Sequence, residues 1–186
     1  MAEDDDLVRR CLKGRTEAMR ELVERFQPDV FAVCVRLLRH QQDAEDVAQE
    51  VFLRVFRSLK GWDSARPLRP WILGITVNRC RTWMGKRARL PDSVEYLHDV
   101  PARPDEQLAD ELTLGIRAAV DSLRDEYREV FVLFHEQGQC YEEIAAALER
   151  PVGTVKTWLH RGRTLVLADL RRRGLAEPDL QPKTPP

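Results

Sequence analysis

The chain has 186 residues, of which 43% are hydrophobic and 33% are charged, a balance typical of one medium domain or two small ones with solvated helices. No apolar run approaches the roughly 18 residues of a membrane span, and the acidic start MAEDDDLVRR has no signal-peptide core. These features exclude membrane insertion and predict a cytoplasmic protein, whose net charge of −1 is the sum of strongly opposed segments.

Apolar residues recur at helical spacing in the first half of the chain, which predicts an all-α domain over residues 1–89. Pro28 is expected in the first turn of a helix, because an interior proline breaks the hydrogen-bond ladder. Residues 60–70, KGWDSARPLRP, interrupt the pattern with one glycine and two prolines. The predicted helices span residues 17–38 (as one helix or two), 43–59 and 71–86.

A second all-α domain is predicted for residues 107–175. The segment 90–106 precedes it, contains three prolines and no periodicity, and predicts a flexible linker. The Pro-rich tail 176–186 is predicted to be disordered. The predicted helices of this domain span residues 106–123, 125–136, 141–148 and 152–173.

The last two predicted helices form a helix-turn-helix, in which the second helix enters the DNA major groove. YEEIAAAL places Ile144, Ala145 and Leu148 on one face, and a tight connection follows at 149–151. An ordinary surface helix is the alternative, but the short first helix and the turn favour DNA binding. The second helix has a core face on one side and a polar face on the other. The core face consists of Val155, Leu159, Gly162, Val166 and Leu170. The polar face consists of Lys156, Thr157, His160, Arg161 and Thr164.

Charge alternates along the chain in blocks. The formal charges are −4 for residues 1–50, +9 for 51–90, −10 for 91–150, +5 for 151–175 and −1 for the tail. Random clustering on solvated helices is possible, but so many cations in one short block are hard to disperse. Because basic patches attract polyanions, two nucleic-acid surfaces are predicted.

The sequence predicts no enzyme, with no catalytic residue, metal site or cofactor. It contains no P-loop, dinucleotide-binding glycine turn, HExxH or GxSxG motif, and its four histidines are dispersed. An even number of cysteines leaves disulfides open, but no pair has zinc-ligand spacing and reduced thiols on helical faces are favoured. The four cysteines are Cys11, Cys34, Cys80 and Cys140.

Three stretches resemble one protein family. YEEIAAALERPVGTVKTWLHRGR resembles region 4 of the extracytoplasmic-function (ECF) group of sigma-70 factors, DAEDVAQEVFLRVFRSL resembles region 2.2, and WILGITVNRCRTW resembles regions 2.3 to 2.4. The resemblance covers roughly residues 7–173. It implies two small helical domains, region 2 and region 4, in a sigma factor that directs promoter-specific initiation. The implied partners are core RNA polymerase (β′ clamp and β flap), promoter DNA (duplex at −35, unpaired at −10) and an anti-sigma factor.

The resemblance also implies three sets of contact residues. For core polymerase they are Asp43, Asp46, Gln49 and Glu50. For the −10 element they are Trp62, Leu68, Asn78, Arg79, Arg81 and Lys86. For the −35 element they are Thr154, Lys156, Thr157, His160 and Arg161.

The residues themselves leave two of these roles open. Asp43, Asp46 and Glu50 lie within about 60° on a helical face away from the apolar stripe, which suits charge-assisted docking on a protein. Acids also stabilise a helix N-terminus, with Asp43 as the cap and Asp46 as its N3 partner. Trp62 can stack on an unpaired base or be buried at a helix end.

Four positions depart from the family pattern. Leu68 replaces a frequent aromatic residue of the base-capture loop, and Trp158 replaces an arginine and is expected to pack at the edge of the core. Cys140 replaces a capping Ser or Thr, although Glu143 completes the capping-box spacing. Glu149 replaces a turn residue and is expected to strain the turn.

A helix-turn-helix regulator that acts without polymerase is the alternative function. It would share the second domain, but it has no need of the acidic face at residues 43–50 or of a loop for unpaired bases.

Overall fold

The computed structural model describes residues 2–89 and 111–177, in which all regular structure is helical. The all-α prediction is therefore confirmed, while the predicted linker at 90–106 and most of the predicted tail lie outside the described residues. The helices are α1 (Ala2–Leu12), α2 (Thr16–Leu38), α3 (Gln41–Ser58), α4 (Leu68–Arg87), α5 (Glu111–Asp121), α6 (Asp125–Phe131), α7 (Tyr141–Leu148) and α8 (Val152–Arg172).

The N-terminal domain, α1 to α4, is built around α2, which packs against the other three helices. Helix α1 was not predicted from the sequence. It buries Leu7, Val8 and Cys11, and the acids of its first turn complement the helix dipole. The prediction failed because these few apolar positions are surrounded by charged ones.

Helix α2 is one continuous helix, so the placement of Pro28 in the first turn of a second helix is wrong. Pro28 lies in the helix interior, on the exposed face. Its ring leaves the carbonyl of Glu24 without a helical donor, and Glu24 is also exposed. Water can satisfy that carbonyl, which reduces the usual cost of an interior proline.

Two helix starts differ from the predictions. Helix α3 begins at Gln41, and the imidazole Nδ1 of its N-cap His40 accepts a hydrogen bond from the Asp43 amide at 3.2 Å, so Asp43 is not the cap. Helix α4 begins at Leu68, three residues before the predicted start. Leu68 is fully buried and lies in the first turn of α4 rather than in the loop before it.

The C-terminal domain, α5 to α8, contains the predicted helix-turn-helix. Ile144, Ala145 and Leu148 are buried as predicted. The predicted helix 125–136 is α6 followed by a π-helical turn at Val132–Glu136. Packing continues to Ala176, just inside the predicted tail. The predicted core face of α8 is confirmed by the burial of Val155, Leu159, Gly162, Val166 and Leu170.

The turn of the helix-turn-helix places Glu149 in the left-handed region, with φ of 52°. An L-residue there costs about 1–2 kcal/mol, which glycine avoids at some entropic cost. We expect Glu149→Gly to raise the free energy of unfolding by about 0.5–1 kcal/mol, measured by urea denaturation. Glu142→Gly, inside α7, is the control and should lower it by about 1 kcal/mol. A lower free energy of unfolding for Glu149→Gly would contradict the backbone strain expected at Glu149.

Candidate nucleic-acid and protein interfaces

The polymerase contacts predicted on α3 differ in whether their side chains are already paired within the protein. Asp46 and Gln49 are exposed, and neither has a side-chain partner within the described parts of the chain. Glu50 forms an ion pair with Arg79 across the α3–α4 groove. Asp43 forms an ion pair with Arg87, and its side chain is only 15% exposed. Of the four predicted polymerase contacts, Asp46 and Gln49 are therefore the most accessible.

An open groove of about 650 Å³ lies between α3 and α4. Asn78, one of the predicted −10 contacts, lies exposed in it beside Trp71. Arg54 and Arg57, which the sequence reasoning did not select, line the opposite side. Both belong to the block of charge +9, and their i, i+3 spacing on one face of α3 was the signal that could have identified them.

Two predicted −10 contacts, Trp62 and Leu68, are poorly placed to contact an unpaired base. Trp62 is half-buried against the core, and its indole Nε1 is buried with no hydrogen-bond partner among the described residues. Its burial at a helix end, the alternative drawn from the sequence, fits this geometry. Leu68 is 0% exposed, so contact with DNA would require α4 to lift from the core.

The basic side chains of α4 differ in availability. Lys86 is exposed, whereas Arg79 is paired with Glu50. Arg81 Nε donates to Glu129 Oε1 of the C-terminal domain at 2.7 Å. Burial raises the pKa of Glu129 while the hydrogen bond from Arg81 opposes that rise, and the same hydrogen bond raises the pKa of Arg81.

The polar face of α8 is exposed as predicted. Lys156, Thr157, His160 and Arg161 are all exposed, and Thr154 is half-buried. The face therefore combines two cations for phosphates with hydroxyl and imidazole groups for base edges.

Two residues of α8 make contacts beside this polar face. Thr157 Oγ1 donates to the carbonyl oxygen of Gly153 at 2.8 Å, which leaves its oxygen free to accept. Trp158 is half-buried, with the guanidinium of Arg150 at 6.0 Å from its ring, and its predicted packing at the edge of the core is confirmed.

The start of α7 retains half of a capping box. The Cys140 amide donates to Glu143 Oε2 at 2.9 Å, as the spacing predicted. All four cysteines are free in the structure, with Cys140 exposed and the others buried. Cys34 and Cys80 lie with their sulfurs 3.8 Å apart. Their contact and burial raise the pKa of Cys80.

No helix within residues 2–89 and 111–177 is both long and apolar enough to cross a bilayer. The same residues contain no group of three or more His, Cys, Asp or Glu side chains arranged to hold a metal ion.

Comparison with known families decides what these two domains are. Residues 22–90 match the model of sigma-70 region 2, and residues 113–166 match that of sigma-70 region 4. The chain belongs to the sigma-70 family. It is a sigma factor that directs promoter-specific transcription initiation, and several of the relatives that it resembles are named ECF sigma factors.

Relatives of this sigma factor match along most of its length. It is 27% identical over 177 residues to the RNA polymerase sigma-H factor of Pseudomonas aeruginosa, covering 88% of this chain and 92% of the relative. It is 37% identical over 150 residues to the ECF sigma factor SigE of Mycolicibacterium smegmatis, covering 77% and 58%. It is 29% identical over 179 residues to the ECF sigma factor SigW of Bacillus subtilis, covering 88% and 95%.

Solved structures share the fold of the sigma factor. The sigma factor RpoE of Bartonella quintana, in complex with the anti-sigma factor NepR, superposes with a TM-score of 0.71 at 23% identity, covering 82% of this chain and 96% of that one. CnrH in complex with the cytosolic domain of CnrY gives a TM-score of 0.67 at 24% identity, covering 89% and 96%.

Proposed function

We propose that this sigma factor divides its work among three exposed surfaces. The acidic face of α3 docks on the β′ clamp of core polymerase, the α3–α4 groove binds the unpaired −10 strand, and the polar face of α8 binds the −35 duplex. The main support for the proposal is the set of faces that the chain exposes. Helix α3 exposes an acidic face suited to binding a protein, and α4 and α8 expose basic faces with hydrogen-bonding groups.

The proposed division follows the domain boundaries. Residues 1–89 bind polymerase and the −10 element, residues 107–175 bind the −35 element and the β flap, residues 90–106 connect them, and residues 176–186 form a tail. The protein acts in the cytoplasm as a binding subunit, with no catalytic residue of its own.

Docking on polymerase depends chiefly on Asp46 and Gln49. Both are exposed and free of partners within the described chain, so they can form charge-assisted and amide hydrogen bonds with basic side chains of the clamp. Glu50 contributes once it separates from Arg79 and pairs with a basic side chain of the clamp instead. Asp43 has a mainly structural role, because it already binds Arg87.

Strand capture at −10 uses Asn78 and its basic neighbours. The Asn78 amide can bond to the edge of an unpaired base, and Arg54, Arg57 and Arg79 can hold the backbone phosphates around the same groove. These contacts would offset unstacking, which costs a few kcal/mol per base step.

Binding at −35 uses the exposed face of α8. Lys156 and Arg161 are suited to phosphates, and Thr157 and His160 to base edges. The solved structural neighbours include a sigma factor bound to an anti-sigma factor, and we extend that class of partner to this protein. Such a partner would cover the surfaces that bind polymerase and DNA.

Transcription in vitro with purified core polymerase and genomic templates tests the proposed function. The full-length protein should generate discrete promoter-initiated transcripts that core polymerase alone does not. Tight binding of this protein alone to duplex promoter, with no new transcript when core polymerase is present, would instead favour a regulator that acts without polymerase.

A further inference from the structure

A small cleft lies beside the start of α3 and is separate from the α3–α4 groove. Side chains from the end of α2, the last turns of α4 and the beginning of α6 line its volume of about 270 Å³. None of the predicted DNA contacts belongs to this lining. Its ionised members are three arginines and two acids, namely Arg39, Arg87, Arg128, Asp43 and Asp125.

The two acids of this cleft are already paired with two of its arginines. Asp43 forms an ion pair with Arg87, and Asp125 accepts a hydrogen bond from Nη2 of Arg128 at 2.5 Å. Arg39 is the third arginine, and its side chain forms no hydrogen bond or ion pair within residues 2–89 and 111–177. The cleft therefore holds one positive charge that no carboxylate compensates directly.

The surroundings of Arg39 disfavour its charge. Arg39 is half-buried, and desolvation is the main cause that lowers the pKa of its guanidinium. The nearby charge of Arg128 lowers that pKa further, while Asp121 and Asp125 act in the opposite direction. A partly desolvated cation beside a second cation is stabilised when an anion binds between them.

Two further N–H groups of the cleft residues lack an acceptor. Arg128 is 1% exposed, and its Nε is buried without a hydrogen-bond partner among the described residues, although its terminal nitrogens donate to Leu123 and Asp125. The indole Nε1 of Trp83 is also buried and has no partner in the same part of the chain. Buried donors in native proteins are nearly always paired, so both groups indicate an absent acceptor.

We propose that this cleft binds a small phosphate-bearing molecule through Arg39, Arg128 and Trp83. The oxygens of one phosphate group can accept from several donors at once, and the guanidinium fork matches their geometry. The volume of about 270 Å³ suits a small molecule. Asp125, whose side chain is 57% exposed at the cleft, repels the many phosphates of an extended nucleic-acid strand.

Titration calorimetry of the full-length protein with inorganic phosphate and with pyrophosphate, at constant ionic strength, tests this site. The wild type should bind one anion per chain. Arg39→Gln should lower the affinity about tenfold or more, because it removes a charged donor. Arg20→Gln is the matched control and should bind as the wild type does, since Arg20 is exposed on α2 and lies outside the cleft.

Trp83→Phe tests the second donor, because it removes the indole N–H and keeps an aromatic ring. The affinity for phosphate should fall about fivefold, as expected for one neutral hydrogen bond.

Thermal unfolding separates anion binding from a structural role of Arg39. In phosphate-free buffer Arg39→Gln should unfold at the same temperature as the wild type or higher, because the substitution removes an uncompensated charge. Added phosphate should raise the unfolding temperature of the wild type and of Arg20→Gln. It should have little effect on Arg39→Gln.

Three results would overturn the proposal. The first is the absence of binding of both anions to the wild type. The second is equal affinity of the wild type, Arg39→Gln and Arg20→Gln, which would indicate general attraction of anions to basic side chains. The third concerns a single-stranded oligonucleotide of random sequence. If it displaces phosphate and loses as much affinity as phosphate does in Arg39→Gln, the cleft is part of a nucleic-acid surface.

Discussion

The double substitution Asp46→Ala and Gln49→Ala should raise the dissociation constant for core polymerase by about 30- to 100-fold, because each lost charge-assisted or amide hydrogen bond is worth about 1–1.5 kcal/mol. Both side chains are exposed on α3 and have no partner in the described chain, so their removal should not affect folding. Fluorescence anisotropy of the labelled protein titrated with core polymerase measures the change.

The matched control for this prediction is Glu45→Ala. Glu45 lies on the same helix and is exposed, but its side chain accepts a hydrogen bond from Gln41 within its own helix. It should leave the core affinity nearly unchanged, although it also removes a negative charge. An equal loss in both variants would indicate a general effect of charge rather than a defined docking face.

The double substitution Lys156→Ala and Arg161→Ala should weaken −35 binding by about 30-fold and reduce the slope of log affinity against log salt by about 2, since each lost phosphate contact removes about 0.9 from the slope. The two cations lie on the exposed face of α8. Lys156 Nζ lies 5.3 Å from the Tyr141 ring, and Arg161 makes a long 3.5 Å contact with the Tyr127 hydroxyl. Titration of a promoter duplex at several salt concentrations measures both quantities.

Arg163→Ala is the control for the −35 prediction. Arg163 is exposed on the same helix, but it points to another side, where its Nε donates to His135 Nε2 at 3.0 Å and its guanidinium lies 5.0 Å from the Phe134 ring. Its removal should leave the salt slope unchanged. A slope that falls as much as in the double variant would show that α8 does not bind phosphate through the predicted face.

Periodicity predicted the elements whose apolar faces are long and regular. The apolar stripe predicted on α3 is buried except for Phe56, which is partly buried; its buried members are Ala44, Val47, Ala48, Val51, Phe52 and Val55. The inward face of α8 was also predicted, because five apolar or small residues repeat at helical spacing. In both helices, burial in the domain core agrees with local pattern, so the sequence alone was sufficient.

Local pattern failed where distant residues decide the structure. Glu129 and Arg128 are each 1% exposed, although charged residues usually mark a solvated face. Arg128 is accommodated because its guanidinium donates to the Leu123 carbonyl at 2.9 Å. Glu129 is accommodated by Arg81 of the other domain, and no periodicity reports a partner 48 positions away.

The opposed charges of the two domains also affect how the protein moves through a cell full of DNA. The two blocks of charge +9 and +5, taken by themselves, would adsorb to chromosomal DNA wherever they met it. In the structure, Arg81 of the +9 block instead binds Glu129 of its own chain, which weakens the long-range field of that block. We therefore expect a larger share of the molecules to stay in free solution, where they can meet polymerase before DNA.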